Sequence, residues 1–216
     1  MVQKGVKIVL SIFMILFIIT GIFFGAVLND DIYNRVLYAA DKIKIFAGIK
    51  VYDSQSVIVK YNGTTIDEAV KGNSVIEEKA KYITERCTSD REKAHSIYSW
   101  IGSNIEYDTD KADRVLSEDE EISDSGAIYA FRDRSGVCFD YACLYVAMAQ
   151  STDLKVRLVI GKAFDGNDYV AHAWNEVYIQ DEQKWVNVDC TFFAGGNYFD
   201  TDKFDRYQKE EIAGEW

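Results

Sequence analysis

The chain has 216 residues, a formal net charge of −11 and a hydrophobic content of 48%. That length suits one domain with appendages, and the apolar content is sufficient to form a core without disulfide staples. All 35 Asp and Glu residues follow residue 29, and no basic run occurs there that could follow a phosphate backbone. We therefore expect no nucleic-acid partner.

The first element is an apolar run from Ile8 to Leu28. A helix needs about 20 such residues to cross a membrane. Lys4 and Lys7 precede the run and acidic residues follow it, so the positive-inside rule places the amino terminus in the cytoplasm. Residues 1–29 are predicted to be the anchor of a single-pass cell-membrane protein with an extracytoplasmic domain. A cleaved signal peptide is the alternative, although its apolar region is usually only about 7–15 residues long.

Residues 30–73 are predicted to hold a membrane-proximal helix over 30–55 and a short strand from Ser56 to Tyr61, closed by an Asn62-Gly63 turn. The third segment, residues 74–216, opens with two predicted helices, one from about Ser74 to Arg86 and one beginning near Ser89-Asp90. Four apolar residues of the second helix have the spacing of one buried face: Ala94, Ile97, Tyr98 and Ile101.

The last hundred residues begin with an acidic stretch, Ser117 to Gly126, which is predicted to be an exposed loop. Cys138 to Gln150 has the composition of a helix. Three β-branched and aromatic runs follow, with polar turns between them, and predict strands over Val156–Gly161, Val170–Ile179 and Trp185–Cys190. Helices followed by a strand meander indicate an α+β domain, with helices packed on an antiparallel sheet.

Cys138, His172 and Asp189 are a thiol, an imidazole and a carboxylate, the groups that nucleophilic thiol chemistry requires. If the loop between the second and third strands is two residues long, the paired residue numbers sum to 363, and Asp189 lies diagonal to His172 on one face. A four-residue loop over residues 179–182 places the two directly opposite each other, again on one face. A three-residue loop sends Asp189 to the other face.

Cys138 is predicted to lie in the first turn of its helix, where the helix dipole stabilises negative charge on sulfur and free N–H groups can bind an oxyanion. Gly136 is expected to let the chain turn sharply into that helix. Each residue also has an ordinary structural interpretation: a buried thiol, a hydrogen-bonded histidine, or an aspartate that ends a strand. The three together favour a catalytic site.

The remaining cysteines and histidine have structural interpretations. Cys87 and Cys143 are expected to be small buried hydrophobic residues. A Cys87–Cys190 disulfide is compatible with an extracytoplasmic domain, but nothing in the spacing selects it. No CxxC pair or histidine cluster suggests structural zinc, and we expect no metal or cofactor. His95 lies among polar neighbours on a helix and is interpreted as structural.

Three sequence blocks resemble the transglutaminase-like superfamily of papain-type enzymes, over about residues 75–192. They are Gly136-Val137-Cys138, His172-Ala173-Trp174, and Asp189 after Trp185-Val186-Asn187-Val188. The resemblance implies that Cys138 is the nucleophile, His172 the base and acid, and Asp189 the group that orients the imidazole. The second oxyanion donor is not placed by these blocks, and Tyr107 is a weak candidate. Cys190 stands where many relatives have proline, which affects loop shape more than chemistry.

The resemblance implies a thiol enzyme that acts on carboxamide or peptide bonds through an acyl-enzyme. Peptide cleavage, deamidation and crosslinking acyl transfer share this machinery, and the sequence does not decide among them. The expected substrates are proteins or peptides at the cell surface, including wall peptides. The alternatives are a catalytically silent binding or assembly module of the cell envelope and, more distantly, a zinc hydrolase.

Overall fold

The computed structural model describes residues 60–61, 63–117 and 124–216. The predicted anchor, the membrane-proximal helix and the centre of the acidic stretch lie outside these residues. Within the described part of the chain, no helix has both the length and the apolar character needed to span a membrane.

The described chain begins with a short hairpin of β1 (Lys60–Tyr61) and β2 (Thr64–Thr65), followed by helix α1 (Ile66–Ala69). Helix α2 (Ser74–Thr84) starts after Asn73, whose side chain accepts hydrogen bonds from two N–H groups of the first turn. Helix α3 (Asp90–Asn104) starts after Ser89, which caps it in the same way. Both predicted helices are therefore confirmed, and all four predicted core residues of α3 are buried.

Two very short strands flank the next helices. Strand β3 (Glu106–Tyr107) pairs in parallel with β4 (Ser135–Gly136), and helices α4 (Thr109–Ser117) and α5 (Ala127–Asp133) lie between them in sequence. The prediction of an exposed loop up to Gly126 is wrong at its end. Gly126 is buried, and its N–H donates to the carboxylate of Asp140.

The centre of the domain is helix α6 (Cys138–Gln150), which has the predicted bounds. Every residue from Phe139 to Ala149 is buried, because α2, α3 and α5 pack on this helix together with the sheet. Two of its tyrosines bond to neighbouring backbone: Tyr141 Oη donates to Ile105 O at 2.7 Å and Tyr145 Oη to Ala94 O at 3.1 Å. Such bonds offset the cost of burying a phenol hydroxyl.

The main sheet has four antiparallel strands in the order β7-β6-β5-β8. Their bounds are Val156–Phe164 for β5, Tyr169–Ile179 for β6, Lys184–Val188 for β7 and Tyr207–Glu215 for β8. The first three agree with the predicted strands to within a few residues, and β8 was not predicted. Helices packed on an antiparallel sheet confirm the α+β class.

The β6–β7 register confirms one of the two compatible hairpin predictions. Asn175 pairs with Val188 and Ile179 with Lys184, so the paired numbers sum to 363. The connection is not a tight two-residue turn, however. Residues Gln180–Glu182 form a 3₁₀ turn, and Gln183 closes it with a left-handed backbone, φ 51°. This longer loop gives the same register, so Asp189, just beyond β7, lies diagonal to His172.

Candidate active site

Cys138 is the first residue of α6, as predicted, and its side chain is half-buried. The first N–H groups of a helix have no carbonyl partner within the helix, and they carry the positive end of the helix dipole. The N–H of Cys138 is therefore suited to bind the oxyanion that forms when the sulfur attacks a carbonyl group. The helix dipole also favours negative charge on the sulfur.

The turn into α6 is held by the buried carboxylate of Asp140. Its Oδ2 accepts from the Val137 N–H at 2.9 Å and from Lys111 Nζ at 2.8 Å, and its Oδ1 accepts from Ser125 Oγ and the Gly126 N–H, both at 2.7 Å. Gly136 is needed here for a reason that differs from the predicted one. A Cβ at Gly136 would lie 2.7 Å from the Asp140 Cβ, so glycine permits the close approach of this side chain.

His172 and Asp189 form a buried pair. His172 Nε2 lies 2.7 Å from Asp189 Oδ2, and the two residues are 6% and 1% exposed. The other oxygen of Asp189 accepts from the Thr191 N–H at 2.9 Å, and the Asp189 N–H donates to Tyr198 O. Because Nε2 is engaged by the carboxylate, Nδ1 is the ring nitrogen left to face the thiol.

His172 and Asp189 each stabilise the charged form of the other. Burial alone would lower the pKa of His172, but the charge and hydrogen bond of Asp189, with hydrogen bonding and charge from Cys138, raise it to about 10. Burial would raise the pKa of Asp189, but the His172 charge and the hydrogen bonds that the carboxylate accepts lower it below its ordinary value. The structure therefore brings all three predicted residues together in a form that favours imidazolium beside carboxylate.

Aromatic rings fix the plane of the imidazole. Phe192 stacks on it with ring centres 5.1 Å apart, Trp174 lies nearly parallel at 6.4 Å, and Tyr207 presents its ring at a steep angle at 5.8 Å. Trp174 is itself held by a hydrogen bond from its indole N–H to Asn187 Oδ1, at 3.1 Å. These rings exclude water from the histidine, which strengthens its interaction with Asp189.

Tyr207, the first residue of β8, is a site residue that sequence reasoning missed. Its hydroxyl donates to Asp189 Oδ2 at 2.7 Å, which is the oxygen that also contacts His172. Burial, followed by the charge of Asp189, raises the pKa of Tyr207 far above its ordinary value, so the hydroxyl keeps its proton. No motif in the sequence marks this residue, because it follows a polar segment and the strand that it begins is highly charged.

Tyr107 lies in β3, directly opposite Gly136 of β4, and its side chain is 46% exposed. Burial of the hydroxyl, followed by the charge of Cys138, raises the pKa of Tyr107 to about 12. The phenol therefore remains a hydrogen-bond donor at neutral pH, on a strand paired with the residue two positions before Cys138. This position supports its candidacy as the second oxyanion donor.

The other cysteines and the second histidine lie outside this site. All four cysteines are free thiols, and Cys143 is fully buried as predicted. The prediction for Cys87 is wrong, because it is half-exposed and its sulfur contacts Ser96 Oγ at 3.4 Å. His95 bonds to Ser99 Oγ and packs edge-on against Phe199, which fits a structural role. Among the described residues, no group of three His, Cys, Asp or Glu side chains is placed to hold a metal.

A family model for the transglutaminase-like superfamily matches residues 77–190, more than half of the chain. The chain therefore belongs to the transglutaminase-like superfamily. It is 29% identical over 135 residues to the kyphoscoliosis peptidase of Mus musculus, a match that covers 56% of this chain and 19% of the relative. The chain thus spans about a fifth of the length of that curated relative.

Two solved structures are similar at lower identity. One is a Cytophaga hutchinsonii protein described as a candidate cysteine protease, with 22% identity and a TM-score of 0.48, covering 74% of this chain and 48% of the other. The other is described as a TGase, with 20% identity and a TM-score of 0.44, covering 74% of this chain and 39% of the other.

Proposed function

We propose that the protein is a thiol enzyme that forms an acyl-enzyme on Cys138 from a carboxamide or peptide carbonyl of a protein substrate. The observation that carries this proposal is the arrangement of the site: a thiol at a helix N-terminus beside an imidazole whose other nitrogen is held by Asp189 at 2.7 Å. Membership of the superfamily and the peptidase activity in the name of the mouse relative support it.

In the first step, the Cys138 sulfur attacks the carbonyl carbon and the carbonyl oxygen becomes an oxyanion, which the Cys138 N–H stabilises. His172, protonated at the expense of the thiol, then gives that proton to the leaving amine or ammonia as the C–N bond breaks. Asp189 holds the imidazole in position and stabilises its charge.

In the second step, water or a primary amine attacks the thioester carbon, and His172 takes the proton of this nucleophile. The sulfur leaves as the new bond forms, which regenerates the enzyme. Water gives hydrolysis or deamidation, and an amine gives a crosslink, so the choice depends on which nucleophile reaches the acyl-enzyme.

A thiol-directed probe tests the chemistry. The full chain, under reducing conditions, is expected to react with iodoacetamide at Cys138 in a manner that depends on His172, as read by peptide mass spectrometry. Cys138→Ala should abolish that labelled peptide, whereas Cys87→Ala, which removes the other half-exposed thiol, should leave it. A folded chain in which Cys138 is inert would contradict the enzyme and favour a silent binding or assembly module.

Mass spectrometry of peptides incubated with the full chain and a primary amine separates the possible outcomes. Peptide fragments indicate hydrolysis, a gain of about one mass unit at glutamine indicates deamidation, and incorporation of the amine indicates transfer. Cys138→Ala provides the blank for each product.

We also propose that residues 8–28 anchor the enzyme in the cell membrane with its catalytic domain outside, where cell-surface proteins and wall peptides are the substrates. The length of the apolar run and the placement of Lys4 and Lys7 support this orientation. Resistance to alkaline extraction from membranes, together with labelling of intact cells by an impermeant thiol reagent, would support it. An intact mass that matches a chain beginning after residue 28 would identify a cleaved signal peptide instead.

A further inference from the structure

Lys111 lies on α4 and is 1% exposed, although it carries a charge. Its ammonium donates to Asp140 Oδ2 at 2.8 Å and to Asp124 O at 2.7 Å, and it lies 3.7 Å from the centre of the Tyr129 ring. Its partner Asp140 is fully buried. Buried lysines and aspartates are rare, and they persist only where each has a partner of opposite charge.

Asp140 is two residues after Cys138, in the same helical turn. Its carboxylate is useful there, because it binds the Val137 N–H and fixes the turn that presents the thiol. The same charge is a liability, because an uncompensated buried carboxylate in the helical turn that carries the thiol opposes the formation of a thiolate.

Asp140 and Lys111 also affect Cys143, a second thiol of α6. Burial is the largest cause of a raised pKa at Cys143, and the charges of Asp140 and Cys138 raise it further. The charge of Lys111 lowers it. Three titratable groups interact electrostatically with Cys138: Tyr107 on β3, Cys143 on α6 and His172 on β6. Two further charged groups act through a neighbour, Asp189 through its contact with His172 and Lys111 through its contact with Asp140. Among these, Lys111 is the cation paired with Asp140.

We propose that Lys111 is a positioning residue for the reaction: it neutralises the Asp140 carboxylate, so that Asp140 can hold the nucleophile's turn without suppressing ionisation of Cys138. This inference rests on the proposed function, since it concerns the thiolate of that site. Lys111 contacts no reacting atom and acts only through Asp140.

The test is the pH dependence of Cys138 alkylation by iodoacetamide, measured between pH 4 and 10 on the full chain by quantifying the labelled Cys138 peptide. The pH midpoint of the rate reports the charge around the sulfur, and the plateau rate reports access to it. Lys111→Met is expected to move the midpoint upward and to slow alkylation about tenfold at pH 6, because the Asp140 charge is no longer compensated. Adding Asp140→Asn to that variant should return the midpoint to the wild-type value.

A simple loss of packing would not produce this pattern. Ser125→Ala serves as the matched control, because it removes a neutral hydrogen bond to Asp140 and leaves every charge in place. It should lower the thermal stability and leave the midpoint unchanged. If Lys111→Met does not fold, Asp140→Asn and the double variant provide the test, with a midpoint below wild type in the first and near wild type in the second.

A midpoint that is unchanged in Lys111→Met, or that stays raised in the double variant, would overturn the proposal. So would a midpoint at or above wild type in Asp140→Asn alone. The wild-type chain separates this failure from failure of the enzyme proposal. If its Cys138 reacts in a His172-dependent way while the variants match it, only the role of Lys111 is wrong.

Discussion

Tyr207 Oη and His172 Nε2 contact the same oxygen of Asp189, each at 2.7 Å. The hydroxyl donates to this oxygen and leaves the other carboxylate oxygen to the Thr191 N–H. The orientation of the imidazole is therefore set by β8 as well as by β6 and the end of β7. A residue far along the chain from the thiol thus belongs to the machinery that holds the histidine.

Replacing Tyr207 with Phe removes one hydrogen bond to a buried carboxylate and keeps the ring that packs on His172. Hydrogen bonds to charged groups contribute about 1.5–3 kcal/mol. We expect His172-dependent alkylation of Cys138 at pH 7 to slow by about tenfold or more, with the fold retained by circular dichroism. Tyr178→Phe is the control, because Tyr178 lies on β6 and packs on Trp185, away from the site. Equal rates in the two variants would show that the Tyr207 hydroxyl does not support the pair.

The His172–Asp189 pair should make stability depend on pH. The pKa of His172 is about 10 in the folded state and about 6.5 in an unfolded chain, so the folded state binds the proton more tightly. This stabilisation is complete below about pH 6.5 and is lost as the pH rises through about 10. The lowered pKa of Asp189 adds stabilisation that is present above its ordinary value, near pH 4, and is lost as the pH falls below it.

Asp189→Asn is therefore expected to lower the free energy of unfolding by about 2–4 kcal/mol at pH 5–6 and by much less at pH 10. Urea unfolding of the wild type and the variant at several pH values measures this difference. Asp181→Asn, at an exposed position of the β6–β7 loop, is the control and should show no such dependence. A difference that is the same at pH 5 and pH 10 would mean that the imidazolium–carboxylate pair does not stabilise the fold.

Local patterns in the sequence predicted helices α2, α3 and α6, three of the four main strands, and the meeting of Cys138, His172 and Asp189. Helices α1, α4 and α5 were not predicted. Side-chain alternation predicted that His172 and Asp189 share one face of the β6–β7 hairpin, but it left two registers open, and the structure selects one of them. The start of α6 at Cys138 followed from the change of composition after Gly136. These features depend on residues that are close in sequence.

The supporting residues could not be predicted, because they act over long separations or against their usual preferences. Strand β8 contains Lys209, Glu210 and Glu211 in succession and has no apolar alternation, so nothing marks Tyr207 as part of a sheet. Lys111 is in a helix rich in charged residues and has the sequence context of an exposed side chain. Only the fold shows that it is buried against Asp140.

Gly161 controls how closely β8 approaches the site. A Cβ at this position would lie 2.1 Å from the carbonyl oxygen of Gln208 and 3.0 Å from the Trp174 ring. Gly161→Ala should therefore displace the strand that carries Tyr207 and cost about 1–3 kcal/mol of stability. The thermal unfolding temperature should fall, and the alkylation of Cys138 should slow. Gly195→Ala is the matched control, because its Cβ would have no neighbour closer than 4.0 Å. A Gly161→Ala variant as stable and reactive as the control would contradict this packing.

Tyr107 can be tested as an oxyanion donor because two reactions of the same thiol differ in their need for one. Alkylation by iodoacetamide displaces iodide at a saturated carbon and forms no oxyanion, whereas acylation by p-nitrophenyl acetate passes through a tetrahedral oxyanion.

Tyr107→Phe removes a hydroxyl that interacts electrostatically with Cys138 and keeps its proton at neutral pH. We expect acylation of Cys138, followed by release of p-nitrophenolate and by intact mass, to slow by about 10²-fold, while alkylation stays within about twofold of wild type. Tyr82→Phe, on a side chain that is 72% exposed in α2, is the control and should change neither rate. If both reactions slow equally in Tyr107→Phe, the phenol supports the thiol itself, and the second oxyanion donor must be another group.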